Sequence, residues 1–308
     1  MRAYVFPGQG AQVIGMGREL AQAYPAAQAV FDEVDEALGE SLSALIWDGD
    51  IETLTLTQNA QPALMATSIA AMRALEAEGF GIEGADFVAG HSLGEYSALC
   101  AAGAISLADT ARLLRLRGQA MQEAVPVGQG AMAAILGLDF AAVEALAHDA
   151  AEGEVCQAAN DNDPAQVVIS GHKDAVERAA ALAKERGAKR ALMLPVSAPF
   201  HSVLMQPAAG VMADALAAVD IAMPAVPVIA NVRAEPVQEP GAIRRLLVEQ
   251  VTGAVRWRES VEWMAGNGVT EFWEIGAGKA LSGMIKRIAK DAMVRNFGAP
   301  ADIAALKG

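Results

Sequence analysis

The sequence predicts an α/β protein in two parts: a larger α/β-hydrolase-like domain around a parallel sheet, and a smaller inserted ferredoxin-like (βαββαβ) domain. Three observations lead there. Short apolar runs of strand length alternate with longer alanine-rich stretches of helical spacing, the signature of α/β layers. Between residues 128 and 196 the rhythm changes to strand, helix, strand, strand, helix, strand. A pentapeptide, Gly90-His91-Ser92-Leu93-Gly94, joins a strand-like run to a helix-like one.

Along the chain, residues 3–6, 87–90, 226–230 and 270–275 read as buried strands of the larger domain. The insert is expected to hold strands at 131–137, 155–160, 166–170 and 188–196, with helices at 140–152 and 174–186. Gly128-Gln129-Gly130 before it and residues 195–199 after it have the composition of hinges. The expected division is 1–127 with 197–308 as a discontinuous catalytic domain, and 128–196 as the insert.

Bulk properties exclude several classes of function. A length of 308 residues suggests about two domains. Hydrophobic residues make up 53% of the chain, yet no run approaches the 18 or more apolar residues of a membrane span. The turn at Pro7-Gly8 comes too early for the apolar region of a signal peptide, so a cytoplasmic setting is expected. The formal net charge of −14 opposes a nucleic-acid partner, since a phosphate-tracking surface needs a basic excess. Cys100 and Cys156 form no Cys-x-x-Cys pair and read as buried thiols, and the chemistry argued below calls for no metal and no cofactor. Two glycine-rich segments fail as nucleotide sites. Gly8-Gln9-Gly10-Ala11-Gln12-Val13 has valine where a dinucleotide fingerprint needs its third glycine, and residues 273–280 have Trp273 and Ala280 where a Walker loop needs glycine and a hydroxyl. Both read as tight strand-to-helix turns, with a functional backbone contact as the alternative.

Residues 86–89 read as a strand into the Gly-x-Ser-x-Gly turn and 95–102 as a helix leaving it, so Ser92 is the candidate nucleophile. The backbone N–H of Leu93 then sits at a helix N-terminus, where it can stabilise an oxyanion. Such a serine needs a base, and the chain has four histidines. His91 is adjacent, but neighbouring side chains diverge at such a turn. His148 falls on the solvent side of a helix and His172 at the start of another. His201 remains, at the end of the Pro-bounded loop Ser197-Ala198-Pro199-Phe200-His201. No carboxylate is evidently placed to orient it, which leaves a backbone or amide oxygen.

Ser106-Leu107-Ala108-Asp109 is a variant capping box, followed by a helix carrying Leu113, Leu114 and Met121. At 100° per residue Arg117 shares their face, whereas Arg112 and Arg115 lie roughly 140° and 160° away from it. An inward arginine is costly to bury unpaired, so Arg117 either meets a structural carboxylate or awaits an anionic ligand.

With Gly-His-Ser-Leu-Gly-Glu-Tyr-Ser-Ala at 90–98, Phe-Pro-Gly-Gln-Gly at 6–10, Arg117-Gly118 and Phe200-His201, the chain resembles, over nearly its whole length, the malonyl-CoA:acyl carrier protein transacylases of bacterial fatty-acid synthesis. The resemblance implies that Ser92 is acylated and that His201 is its base. It implies that the backbone N–H groups of Gln9 and Leu93 form the oxyanion hole, and that Gln250 supplies the carbonyl that orients His201. Arg117 would then grip the malonyl carboxylate through two parallel hydrogen bonds. Malonyl-selective modules of related synthases often read His-Ala-Phe-His, whereas this chain reads Ala198-Pro199-Phe200-His201 and agrees only at the last two positions. Phe200, with Met121, is expected to border a narrow acyl pocket. The implied partners are malonyl-CoA and acyl carrier protein, with no nucleic acid and no membrane. Because both proteins would be acidic, a local basic surface is required; Lys184, Arg186, Lys189, Arg190, Lys286, Arg287 and Lys290 are the densest candidates. The rival classes are a carboxylesterase-type hydrolase and a non-catalytic carrier-protein docking module.

Overall fold

The computed structural model describes residues 1–196 and 198–307. Ser197, which falls in the predicted hinge and at the boundary of the second catalytic segment, and Gly308 lie outside the described residues. The strands are β1 (Arg2–Phe6), β2 (Phe87–Gly90), β3 (Gly130–Leu136), β4 (Cys156–Asp163), β5 (Gln166–His172), β6 (Arg190–Met193), β7 (Val228–Ala230), β8 (Glu235–Val237), β9 (Glu271–Ile275) and β10 (Met293–Phe297).

Six of them form one sheet in the order β10-β9-β1-β2-β7-β8, parallel throughout except for the β7–β8 pair. Its inner strands are covered on both faces, which is why they read as continuous apolar runs. Tyr4, Phe6 and Val88 pack into the larger core with the Thr57–Ala77 and Leu107–Glu123 helices. Ala3, Val5, Ala89 and Ile229 face the opposite way, against Trp257, Val261, Leu281 and Ile285. Two strands escaped the sequence reading. Pro236 removes a ladder donor from β8 and polar Arg295 and Asn296 interrupt β10; both strands lie at sheet edges, where such residues are tolerated.

The second sheet is antiparallel, in the order β4-β5-β3-β6. One face is covered by the helices Phe140–Ala151 and Lys173–Glu185 through Val143, Leu146, Val176 and Ala179. The other carries Met132, Ala134 and Val168, which join the core of the larger layer. The expected strand 188–196 is only four residues long here: β6 is an exposed edge, with Leu192 and Met193 about half accessible.

The Thr57–Ala77 helix is buried almost all round and contains Pro62. Proline has no N–H for the Gln58 carbonyl one turn back, and Arg115 Nη1 donates to that orphaned oxygen at 2.7 Å. This corrects the outward placement of Arg115, which also contacts Asn59 and Glu40; Arg112 lies on the surface as expected. The turn after β1 is likewise not a strand-to-helix turn, since the next helix starts only at Arg18. Among the described residues no helix is long and apolar enough to cross a membrane.

Candidate active site

A cavity of about 360 Å³ lies between the carboxyl ends of β1 and β2 and the open face of the second sheet. Ligand sites in open α/β sheets favour this end of the strands. Ser92 enters it from the turn after β2 with φ of 54°, a left-handed conformation that costs a non-glycine residue of order 1–3 kcal/mol. The turn closes only because of its glycines. A Cβ at Gly90 would lie 1.9 Å from the Gly94 carbonyl carbon, and one at Gly94 would lie 2.3 Å from the Phe6 oxygen.

Ser92 Oγ is 2.7 Å from His201 Nε2, and His201 Nδ1 is 2.9 Å from the Gln250 backbone oxygen. A carbonyl can only accept, so Nδ1 carries the ring proton and Nε2 presents its lone pair to the serine hydroxyl. Burial, reinforced by the nearby Arg117 charge, lowers the His201 pKa to about 3, so the ring is neutral. His201 also has a left-handed backbone, φ 55°. The other histidines point elsewhere. The His91 ring meets Asn162 at 2.9 Å, His172 Nδ1 accepts from the Val155 N–H at 2.9 Å, and His148 is exposed.

Arg117 is 1% exposed. Its Nη1 donates to Gln61 Oε1 at 2.6 Å, and Nη2 donates to Gln250 Oε1 at 2.8 Å and to Ser92 Oγ at 3.2 Å. Its face also lies 5.7 Å from the Tyr96 ring. Among the described residues it forms no ion pair, and its Nε has no hydrogen-bond partner. A buried cation held by neutral amides, beside a nucleophilic oxygen, is the electrostatic complement of an anion entering the cavity. The structural-carboxylate alternative therefore lacks a direct partner.

Leu93 stands at the N-terminal flank of the Gly94–Ala101 helix, and Gln9 is tied to Thr57 by a hydrogen bond of 2.9 Å. Both border the cavity, as do Met121 and Phe200, which are nearly buried. The sequence reading missed Gln61, Asn231 and Glu95. Asn231 Oδ1 accepts from the Ser92 N–H at 2.8 Å, and Glu95 Oε2 accepts from Gln250 Nε2 at 2.7 Å. Burial raises the Glu95 pKa to about 7, against the opposing influence of its hydrogen bonds and of Arg117. Glu95 stood inside the quoted motif, but nothing in a linear pattern tells a buried acceptor from a surface acid.

Of the seven basic docking candidates all are exposed, but Arg186 is engaged by Asp149 at 2.5 Å and Arg287 by Asp163 at 2.7 Å. Cys100 and Cys156 are buried free thiols, each with its pKa pushed up to about 11 by burial.

The family model described as acyl transferase domain matches residues 3–296. The chain is 53% identical over 287 residues to the malonyl CoA-acyl carrier protein transacylase of Bacillus subtilis, covering 93% of this chain and 90% of that one. It is 48% identical to the Escherichia coli K12 protein of the same name, covering 98% and 97%. Among solved structures, an acyl-carrier-protein-S-malonyltransferase from Bartonella henselae superposes with a TM-score of 0.97 at 56% identity, covering 99% of this chain and 98% of that one. A malonyl-transacylase in complex with its type II PKS acyl-carrier protein gives 0.96 at 44% identity, covering 99% and 98%.

Proposed function

Because the chain belongs to the acyl transferase domain family, we infer that it transfers the malonyl group of malonyl-CoA to the phosphopantetheine thiol of acyl carrier protein, in fatty-acid synthesis. The observation that carries the reading is a single oxygen: Ser92 Oγ lies 2.7 Å from a neutral imidazole and 3.2 Å from a buried guanidinium that forms no ion pair among the described residues. The first contact suits nucleophilic attack, and the second suits an acyl group that ends in a carboxylate.

In this mechanism His201 Nε2 takes the hydroxyl proton as Ser92 Oγ attacks the thioester carbonyl. The oxyanion forms against the backbone N–H groups of Leu93 and Gln9. The C–S bond breaks, and the coenzyme A sulfur leaves with the proton from His201. The carrier-protein thiol then gives its proton to His201 and attacks the malonyl-serine ester; the proton returns to Ser92 as the new thioester is released. The Gln250 backbone oxygen keeps the imidazole in the required tautomer, and Arg117 holds the distal carboxylate through two parallel hydrogen bonds. Phe200 and Met121 border the acyl group, and Phe200 narrows the pocket against a branched one.

The finer architecture belongs to the same reading. The order β-α-β-β-α-β and the strand order β4-β5-β3-β6 support treating 128–196 as a ferredoxin-like insert in a discontinuous, α/β-hydrolase-like catalytic domain made of 1–127 and 197–308. Incubation with malonyl-CoA tests the function. A stable malonyl adduct that carrier protein discharges supports the transferase; free malonate without transfer points to a hydrolase, and no reaction to a docking module.

A further inference from the structure

Beneath the nucleophile lies a buried carboxylate that the reaction does not use. Glu95 Oε2 accepts two hydrogen bonds, from the Asn231 backbone N–H at 3.1 Å and from Gln250 Nε2 at 2.7 Å. Both donors belong to residues that grip Ser92. Asn231 Oδ1 accepts from the Ser92 N–H at 2.8 Å, while Asn231 Nδ2 donates to the Gly90 oxygen at 2.7 Å, so one amide spans the entry to the turn. Gln250 Nε2 donates in addition to the Ser92 carbonyl at 3.0 Å, and Gln250 Oε1 accepts from Arg117 Nη2. Thus the backbone N–H and C=O of the left-handed serine are each held by a side-chain amide, and the two residues that supply them are tied to the same carboxylate oxygen, Asn231 through its backbone N–H and Gln250 through its side chain.

The Gln250 amide could in principle sit either way round. In the orientation found, its NH₂ meets two acceptors, Glu95 Oε2 and the Ser92 carbonyl, and its oxygen meets a donor. Turned over, its oxygen would face two acceptors and its NH₂ would face a guanidinium, which has no acceptor. An acceptor at position 95 therefore selects the orientation that keeps Arg117 aimed at the cavity. We propose that Glu95 is a positioning residue: one buried carboxylate oxygen holds the Asn231 backbone and the Gln250 side chain, the two residues that shape the Ser92 turn, and through Gln250 directs the Arg117 guanidinium toward the acyl group. Its protonated form retains Oε2 as an acceptor, so the bracket works in either charge state; burial, which raises its pKa to about 7, makes both states accessible.

This rests on Ser92 being the nucleophile, and the experiment separates the two claims. Single-turnover loading of the enzyme with malonyl-CoA and acetyl-CoA is measured for wild type, Glu95→Ala, Glu95→Gln and Asn231→Ala, with the adduct located by peptide mapping and folding checked by near-UV circular dichroism. Glutamine can present its oxygen where Oε2 stands, so Glu95→Gln is expected to load both substrates within a few-fold of wild type. Misplacement of reacting groups by about 1 Å can cost on the order of a hundred-fold, so Glu95→Ala should lose roughly tenfold to a hundred-fold on acetyl and distinctly more on malonyl, because the turn and Arg117 are both released. Asn231→Ala touches only the turn and should lower both substrates by the same factor. A folded Glu95→Ala enzyme at wild-type rate overturns the proposal, as does Glu95→Gln impaired as deeply as Glu95→Ala, which would make charge rather than the acceptor the active property. Should Glu95→Ala fail to fold, Glu95→Gln decides: near-wild-type loading of both substrates upholds the acceptor role, and loss on both substrates overturns it. An adduct on a residue other than Ser92 in wild type removes the underlying mechanism and this inference with it; an adduct on Ser92 with unaffected Glu95 variants removes the inference alone.

Discussion

Replacing Arg117 with alanine separates recognition of the acyl carboxylate from the acyl-transfer chemistry. The guanidinium is 1% exposed and spends its terminal nitrogens on Gln61, Gln250 and Ser92 at 2.6, 2.8 and 3.2 Å. Truncation strands two buried amide oxygens, at about 1–3 kcal/mol each, but also removes a buried charge that has no ion pair among the described residues, and the two effects oppose one another in stability. The fold should survive. With malonyl-CoA the substrate carboxylate would enter the same pocket with no cation opposite it; loss of one member of a buried charge pair costs about 3–5 kcal/mol, or roughly a hundred-fold to several-thousand-fold in kcat/KM. An acetyl group never makes this contact, so acetyl transfer should change little, or rise as the uncompensated charge is removed. The assay is transfer of radiolabelled malonyl and acetyl groups from coenzyme A to carrier protein by one preparation of each enzyme. Equal losses on the two substrates would make Arg117 a structural residue and refute the carboxylate argument.

Three further outcomes are expected. Ser92→Ala should abolish the malonyl adduct seen by intact-protein mass spectrometry while leaving the circular dichroism spectrum unchanged; an adduct that persists would exclude Ser92. Charge reversal of Arg190 and Lys286, two exposed cations outside the ion pairs that occupy Arg186 and Arg287, should raise the KM for carrier protein severalfold with less effect on malonyl-CoA, and an unchanged carrier-protein KM would place docking elsewhere. Glu95 should leave a mark on stability. Its folded pKa of about 7 exceeds the ordinary 4.5, so the native state keeps a proton that the unfolded chain has released; its contribution is full below about pH 4.5 and is lost, up to about 3 kcal/mol, as pH rises through 7. His201 acts with the opposite sign, its lowered pKa favouring the native state increasingly as pH rises from about 3 toward 6.5. Denaturant titrations of wild type and Glu95→Gln at pH 5 and pH 8 isolate the first effect, and identical pH slopes in the two proteins would show that Glu95 does not titrate as its burial requires.

What could be read without coordinates was whatever depends on local sterics or on a regular period. The Gly-x-Ser-x-Gly turn is legible because only glycine fits where a Cβ would collide at 1.9 Å, and the inward face of Arg117 follows from the 100° helical step. The apolar runs at 3–6 and 87–90 correspond closely to β1 and β2 because inner parallel strands are covered on both faces and so read as continuous apolar segments. Arg115 shows where that logic ends: its place is set by a carbonyl orphaned by Pro62 on another helix, 57 residues away, which no period in its own helix encodes. The same holds for the bracket around Ser92. Asn231 and Ser92 are 139 residues apart, and Gln250 and Glu95 155, so their hydrogen bonds exist only because the sheet order sets β2 beside β7 and the Pro240–Thr252 helix carries Gln250 under the nucleophile. A hydrogen bond is decided by tenths of an ångström and by which end of an amide faces which atom, and only the assembled tertiary structure supplies that.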